Sequence, residues 1–410
     1  MPTIEVEVEL SNGVKATAIV PSGASTGKYE ALELRDNIPE RFRGMSVNRA
    51  IDNIRKKISP ILRGIDVQLQ KQIDQLMIEL DGTPNKIKLG ANAMVGVSMA
   101  VARASAKARQ LPLFQSLTGG KGNLLPLPEI QLIGGGAHSA GRIDVQDFMI
   151  ICMGATYYEQ CLEMTFNIYR ECGEILSMEN RLAGVADEGG YWPVFDNHED
   201  VFRVILKAIE SAGYQPGKDV YLSLDIAASE LFSDGKYHMD LEKKSFFPDE
   251  FYQLISDWCE TYPIISIEDP FAETDHKNWT KLTQKFGKKL QIIGDDLFVT
   301  DRNRVRKGYE MNLANSVLIK LNQIGTVSET LDCIRYVQSI GWRPVISARS
   351  GETEDPFISH LAVAVNAGQL KVGSFSRSER MVKWNEVLRI ERLLGVNARF
   401  AGDEVFNSFL

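Results

Sequence analysis

Charged and polar residues recur at the ends of short apolar runs, and their spacing constrains the fold more than any other feature. Val-Tyr-Leu-Ser-Leu leads into Asp225, Pro-Ile-Ile-Ser-Ile into Glu268 and Leu-Gln-Ile-Ile-Gly into Asp295. Ser-Val-Leu-Ile then ends at Lys320, Arg-Pro-Val-Ile at Ser347 and Gly-Gln-Leu at Lys371. From Glu268 onward these ends follow one another at 27, 25, 27 and 24 residues. Each step suits one strand plus one helix, so the spacing predicts an α/β fold, a TIM-like (β/α) barrel with its polar ends on one rim.

The 410 residues accommodate one barrel of about 250 residues and a smaller domain. A net charge of −8 without a dense Lys/Arg stripe excludes a dedicated nucleic-acid binder. No stretch reaches the roughly 20 apolar residues of a membrane span, and Met-Pro-Thr-Ile-Glu-Val-Glu-Val does not read as a signal peptide. Cys152, Cys161, Cys172, Cys259 and Cys333 are odd in number and lack Cys-x-x-Cys spacing, which predicts reduced packing residues of a cytoplasmic protein.

Ile4 to Leu10 alternates as a half-buried strand, Ser11-Asn12-Gly13 turns, and Val14 to Val20 returns. Helical periodicity dominates from Ser46 to Ala108. Leu124-Leu125-Pro126-Leu127-Pro128 breaks it, predicting an α+β cap over residues 1–122 and the barrel over 123–410.

Asp225, Glu268 and Asp295 on one rim suit Mg²⁺, a hard cation that prefers oxygen ligands. Any one of them alone could equally cap a following helix. Lys320 and Lys371 at strand ends suit an anionic substrate, and a neighbouring cation would lower a lysine's pKa towards that of a base; salt bridges to the rim acids are the alternative. Asp187-Glu188 before Gly189-Gly190 offers an acid opposite Lys320, or a plain turn. Arg349 with Ser350 suits a phosphate, while Ser350 could also cap a helix. Ser22 to Lys28 and Gly134 to Gly141 lack nucleotide-loop spacing and read as mobile loops carrying Ser25 and His138, or as loops without a role.

Together the motifs resemble the enolase family. They comprise Val-Pro-Ser-Gly-Ala-Ser-Thr-Gly, Lys88-Leu-Gly-Ala-Asn-Ala, Asp-Glu-Gly-Gly, Ile-Glu-Asp-Pro-Phe, Gly-Asp-Asp-Leu, Leu-Ile-Lys-Leu-Asn-Gln-Ile-Gly-Thr, Arg-Ser-Gly-Glu-Thr-Glu-Asp and Arg377-Ser-Glu-Arg. The resemblance implies a small N-terminal α+β domain before an enolase-type (β/α)8 barrel, two Mg²⁺ per site, usually a homodimer, and a small phosphorylated carboxylic acid as substrate. Position by position it implies Asp225, Glu268 and Asp295 as ligands of one metal and Ser25 near the second. Lys320 is implied as the base and Glu188 as the acid. Lys371 would hold the substrate carboxylate, Arg349 and Ser350 its phosphate, with His138, Gln146 and Asp147 also in the site.

The chain departs from the family pattern at named positions. Ala348 stands where the family has His, Asp147 where it has Glu, and Gly134-Gly-Gly-Ala-His138 replaces Asn-Gly-Gly-Ser-His. The family's first strand and its Asp-Ser-Arg-Gly turn are absent, since Met1-Pro2-Thr3 begins after them. Three expectations follow: dehydration of 2-phosphoglycerate, the same reaction on an analogue such as a carboxyphosphonate, or a non-catalytic relative.

Overall fold

A computed structural model of the chain describes residues 1–23, 27–407 and 409. The strands β1 (Glu5–Glu9) and β2 (Lys15–Ile19) pair antiparallel with Val8 opposite Ala16. Asn12 Oδ1 accepts from Val14 N at 3.1 Å across the turn, and Gly13 supplies the positive φ of 83° that the turn requires. The helical region divides at Pro60 and again into α1 (Gln70–Asp81) and α2 (Ala91–Ala108). Helix α2 is buried over almost its whole circumference, which its run of Ala, Val and Met permits. Gly96 lets β1 and β2 lie directly on it, because a Cβ there would come within 2.8 Å of Val6 and Val20.

Eight strands close the barrel: β3 (Leu127–Gly134), β4 (Asp147–Ile151), β5 (Tyr221–Asp225), β6 (Ile264–Glu268), β7 (Gln291–Gly294), β8 (Ser316–Ile319), β9 (Arg343–Ser347) and β10 (Gln369–Gly373). Strand β10 pairs with β3 to complete the ring. One feature corrects the simple strand-helix repeat: β4 runs antiparallel to both neighbours, β3 and β5. Its N-terminal end therefore sits on the rim formed by its neighbours' C-terminal ends, with Asp147 opposite Asp225. A polar pair placed before an apolar run, Gln146-Asp147, thus reaches the same rim as acids placed after one.

The barrel interior is layered. Ile293, Leu318 and Val345 form an apolar trio of their own on three successive strands. Around it lie buried polar residues: Gln291 and Gln369 exchange hydrogen bonds of 2.7 and 2.9 Å, and Ser223 Oγ donates to Glu129. The cap is fastened to the barrel by buried charge. Arg103 makes two bonds to Asp355, at 2.6 and 2.5 Å, and Lys86 pairs with Glu329 at 2.8 Å. All five cysteines are free, and among the described residues no helix is long and apolar enough to cross a membrane.

Candidate active site

The acidic rim takes shape where strands end in strained turns. Ala227, Asp269, Val299 and Thr300 all have positive φ, between 40° and 57°, just beyond β5, β6 and β7. Such conformations cost about 1–3 kcal/mol each and persist only where surrounding contacts hold them. The Asp269 carboxylate ties its own turn to the next, accepting from Asp295 N at 2.9 Å and from Asp296 N at 2.8 Å. Asp225 Oδ1 accepts from Ala227 N at 3.0 Å.

Two lysines neutralise this rim. Lys371 Nζ lies 2.8 Å from Asp225 Oδ2, 2.8 Å from Glu268 Oε2 and 3.4 Å from Asp147 Oδ2. It sits inside β10, two residues before the strand's end, so its side chain rises through the barrel mouth rather than from the rim. Lys320 Nζ donates to Asp295 Oδ2, while Gln323 Nε2 donates to Asp295 Oδ1 at 2.7 Å. The lowering expected of Lys320 belongs to the cation-bound site; the side chains alone act the other way. Burial pulls its pKa down most strongly, but the Asp295 and Glu268 carboxylates together hold the ammonium above its ordinary range. Spending the Asp295 charge on a cation removes that stabilisation.

Is the rim suited to a divalent cation? Oxygens of Asp269, Asp295 and Asp296 all lie within 4.8 Å of one another. Burial and the neighbouring Asp295 push Asp296 up to about 8, and burial with Asp225 pushes Glu268 well above the usual carboxylate range. Among the described residues, buried Glu268 Oε1 has no hydrogen-bond partner. Crowded, underneutralised carboxylates with an orphan oxygen fit Mg²⁺. Lys371 bridges Asp225 and Glu268, and Asp295 lies with Asp269 and Asp296. Ser25, expected near a second metal, lies outside the described residues. Ser22 on one side of it exchanges two backbone hydrogen bonds of 2.8 Å with Gly351, above β9.

Opposite Lys320's side of the mouth stands a histidine and acid group. His138 lies in a short turn, Gly136–Ser139, and is buried. Its Nδ1 is 3.2 Å from Asp147 Oδ1 and its Nε2 3.9 Å from Glu188 Oε1. Burial opposes its charge, yet Glu188 and Asp147 raise its pKa to about 9. Gly189 shapes the turn that carries Glu188: its φ is 94°, and a Cβ would meet Ser376 O at 2.7 Å. Gln146 Nε2 donates to Asp225 Oδ2 at 3.0 Å. A cavity of about 550 Å³ opens beside Gln146, lined also by Gly136, Ala137, Ala140 and Ala227.

Arg349 is buried, with Nη1 bonded to Glu30 at 3.0 Å and to Asn322 at 2.9 Å. Arg380 holds the backbone beneath it, donating to Arg349 O, Val372 O and Ser350 O at 2.6–2.8 Å. Ala348 leaves a methyl group where the family pattern has an imidazole, and its N–H donates to Lys371 O at 2.9 Å. Lys320, Lys371, Glu188, His138, Gln146, Asp147, Asp225, Glu268, Asp295 and Arg349 thus converge on one mouth. Asp269, Asp296, Glu30 and Gln131 join them, and sequence reasoning missed all four. The doublets Glu268-Asp269 and Asp295-Asp296 signalled the first two. Glu129 and Gln131 at alternate positions of an apolar strand signalled a polar inward face.

Comparison with known proteins decides the family. Residues 1–117 match the model of the enolase N-terminal domain, and residues 122–409 that of the enolase C-terminal TIM barrel domain. The chain belongs to the enolase family. It is also similar to Enolase 1 of Desulfitobacterium hafniense (strain Y51), with 50% identity over 408 residues, 99% of this chain and 93% of that protein.

Proposed function

We propose that this enolase-family chain is a Mg²⁺-dependent hydro-lyase that interconverts 2-phosphoglycerate and phosphoenolpyruvate. Residues 1–122 form its cap and residues 123–410 its catalytic barrel, and it works in the cytoplasm as a homo-oligomer. The observation that carries this reading is the division of the mouth: a lysine on a crowded carboxylate cluster at one side, and His138 beside Glu188 at the other.

In the forward direction Lys320 Nζ removes the proton from the carbon that bears the substrate carboxylate. Asp225, Glu268 and Asp295 would hold one Mg²⁺ and Ser25 would serve a second, and the cations would supply the positive charge that makes such a proton acidic enough to leave. Lys371 pairs with the substrate carboxylate in exchange for its bonds to Asp225 and Glu268. Arg349, with Ser350, holds the phosphate through charge-assisted hydrogen bonds. Glu188 delivers a proton to the departing hydroxyl as the C–O bond breaks, giving the enol and water. His138 faces Glu188 and Asp147 and helps restore that proton. Gln146 and Asp147 line the leaving-group side.

Appearance of the enol is followed by ultraviolet absorbance with Mg²⁺ and 2-phosphoglycerate. A turnover near the enzyme median of about 10 s⁻¹ supports the proposal. Ala348 and Asp147 favour a second reading, the same reaction on a carboxyphosphonate analogue, and activity on that analogue alone would establish it. Silence on both, in folded protein that binds Mg²⁺, makes the chain a non-catalytic relative. If 2-phosphoglycerate is the substrate, Ala348→His with Asp147→Glu does not raise turnover by orders of magnitude.

A further inference from the structure

Gln131 is wholly buried in β3, and its side chain hydrogen-bonds to Asp147 and Gly190. Both ends of its amide are used. Nε2 donates to Asp147 Oδ1, and Oε1 accepts from Gly190 N at 2.8 Å. The reverse orientation would aim a carbonyl at a carboxylate and an NH₂ at an N–H, so the network allows one placement only. Asp147 Oδ1 is the same oxygen that meets His138 Nδ1 at 3.2 Å. Gly190 closes the turn that carries Glu188, through Ala186 N to Gly190 O at 2.8 Å. The two glycines facing Gln131 leave it no slack: a Cβ on Gly190 would lie 2.5 Å from Oε1, and one on Gly134 would lie 3.2 Å from Nε2.

We infer that Gln131 is a positioning residue, a single amide that sets the His138–Asp147 pair and the Glu188 turn in fixed relation. It also accounts for the short acid. Asp147 is one methylene shorter than the family's glutamate, and Gln131 reaches across to meet it. The Asp147 carboxylate is thereby held with Oδ1 towards His138 and Oδ2 towards Lys371. His138 is consequently held with Nδ1–H on Asp147, which leaves Nε2 for Glu188.

This inference rests on the proposed dehydration only for its kinetic arm; a spectroscopic arm is independent of substrate. Gln131→Leu keeps the volume and removes both bonds. Gln131→Asn with Asp147→Glu moves one methylene from one partner to the other and keeps the reach. In wild-type protein the His138 Nδ1–H gives a slowly exchanging downfield proton resonance, identified by its loss in His138→Gln. Gln131→Leu loses that resonance, and the double variant regains it. On 2-phosphoglycerate, kcat of Gln131→Leu falls by about 10- to 100-fold with KM and the Mg²⁺ requirement within threefold, and the double variant recovers most of the rate. Persistence of the resonance in Gln131→Leu overturns the inference, whatever the substrate. So does loss of the resonance in both variants alike, since that reports a disturbed core and not a set reach. If the resonance behaves as expected while no variant, wild type included, dehydrates 2-phosphoglycerate, the reading of function fails and the role of Gln131 stands.

Discussion

Replacing Lys371 by Met tests the electrostatic design of the mouth directly. Its ammonium is buried and lies 2.8 Å from each of two buried carboxylates, Asp225 and Glu268. Methionine fills a similar volume but leaves both acids facing each other without a cation. Removing one partner of a buried ion pair costs about 3–5 kcal/mol, because the remaining charge stays desolvated. The native variant can escape part of that cost by taking up a proton, and Glu268 is already pushed well above its ordinary range by burial and Asp225. The sign follows from linkage. Native protein then binds a proton that the unfolded chain releases above about pH 4.3, so stability falls as pH rises, by up to about 1.4 kcal/mol per unit. Urea unfolding in EDTA should therefore show a small loss at pH 5 and the full loss of about 3–5 kcal/mol near pH 8. Mg²⁺ should restore more stability to the variant than it adds to the parent, since ammonium no longer competes; at 100 times Kd the gain is about 2.7 kcal/mol. A loss under about 1 kcal/mol at pH 8, or one independent of pH, would refute the reasoning.

Lys320→Ala should abolish exchange of the carbon-bound proton of 2-phosphoglycerate with deuterated solvent, read by NMR; undiminished exchange assigns the base elsewhere. Arg349→Lys cannot keep bonds to both Glu30 and Asn322 and to a phosphate, so KM should rise at least tenfold in steady-state assays, whereas an unchanged KM removes Arg349 from the phosphate site. In EDTA, the Asp296 carboxyl, pushed up to about 8, binds a proton in the folded state that the unfolded chain loses near pH 4. Stability of the metal-free protein should thus decline between pH 4 and 8, and Mg²⁺ binding near pH 7 should release protons, measured by calorimetry in buffers of different ionisation enthalpy.

The residues themselves determined the barrel, because each strand-helix unit carries its own hydrophobic period and its own polar terminus, and local periodicity is legible without knowing what packs where. Asp225, Glu268, Asp295 and Lys320 were readable for that reason: each directly closes an apolar run. Arg349, Glu188 and His138 were readable as motifs, though their mutual distances were not. Tertiary structure alone decided the rest. The reversal of β4 brought Asp147 to face Asp225, and no local signal fixes strand direction, since side chains alternate identically both ways along a strand. Glu30 meets Arg349 across 319 residues of chain, and Gln131 joins Asp147 to Gly190 across the inside of the barrel. The pairing of Lys320 with Asp295 likewise came from the fold: the attraction between them is a through-space energy that falls with distance and carries no trace along the chain.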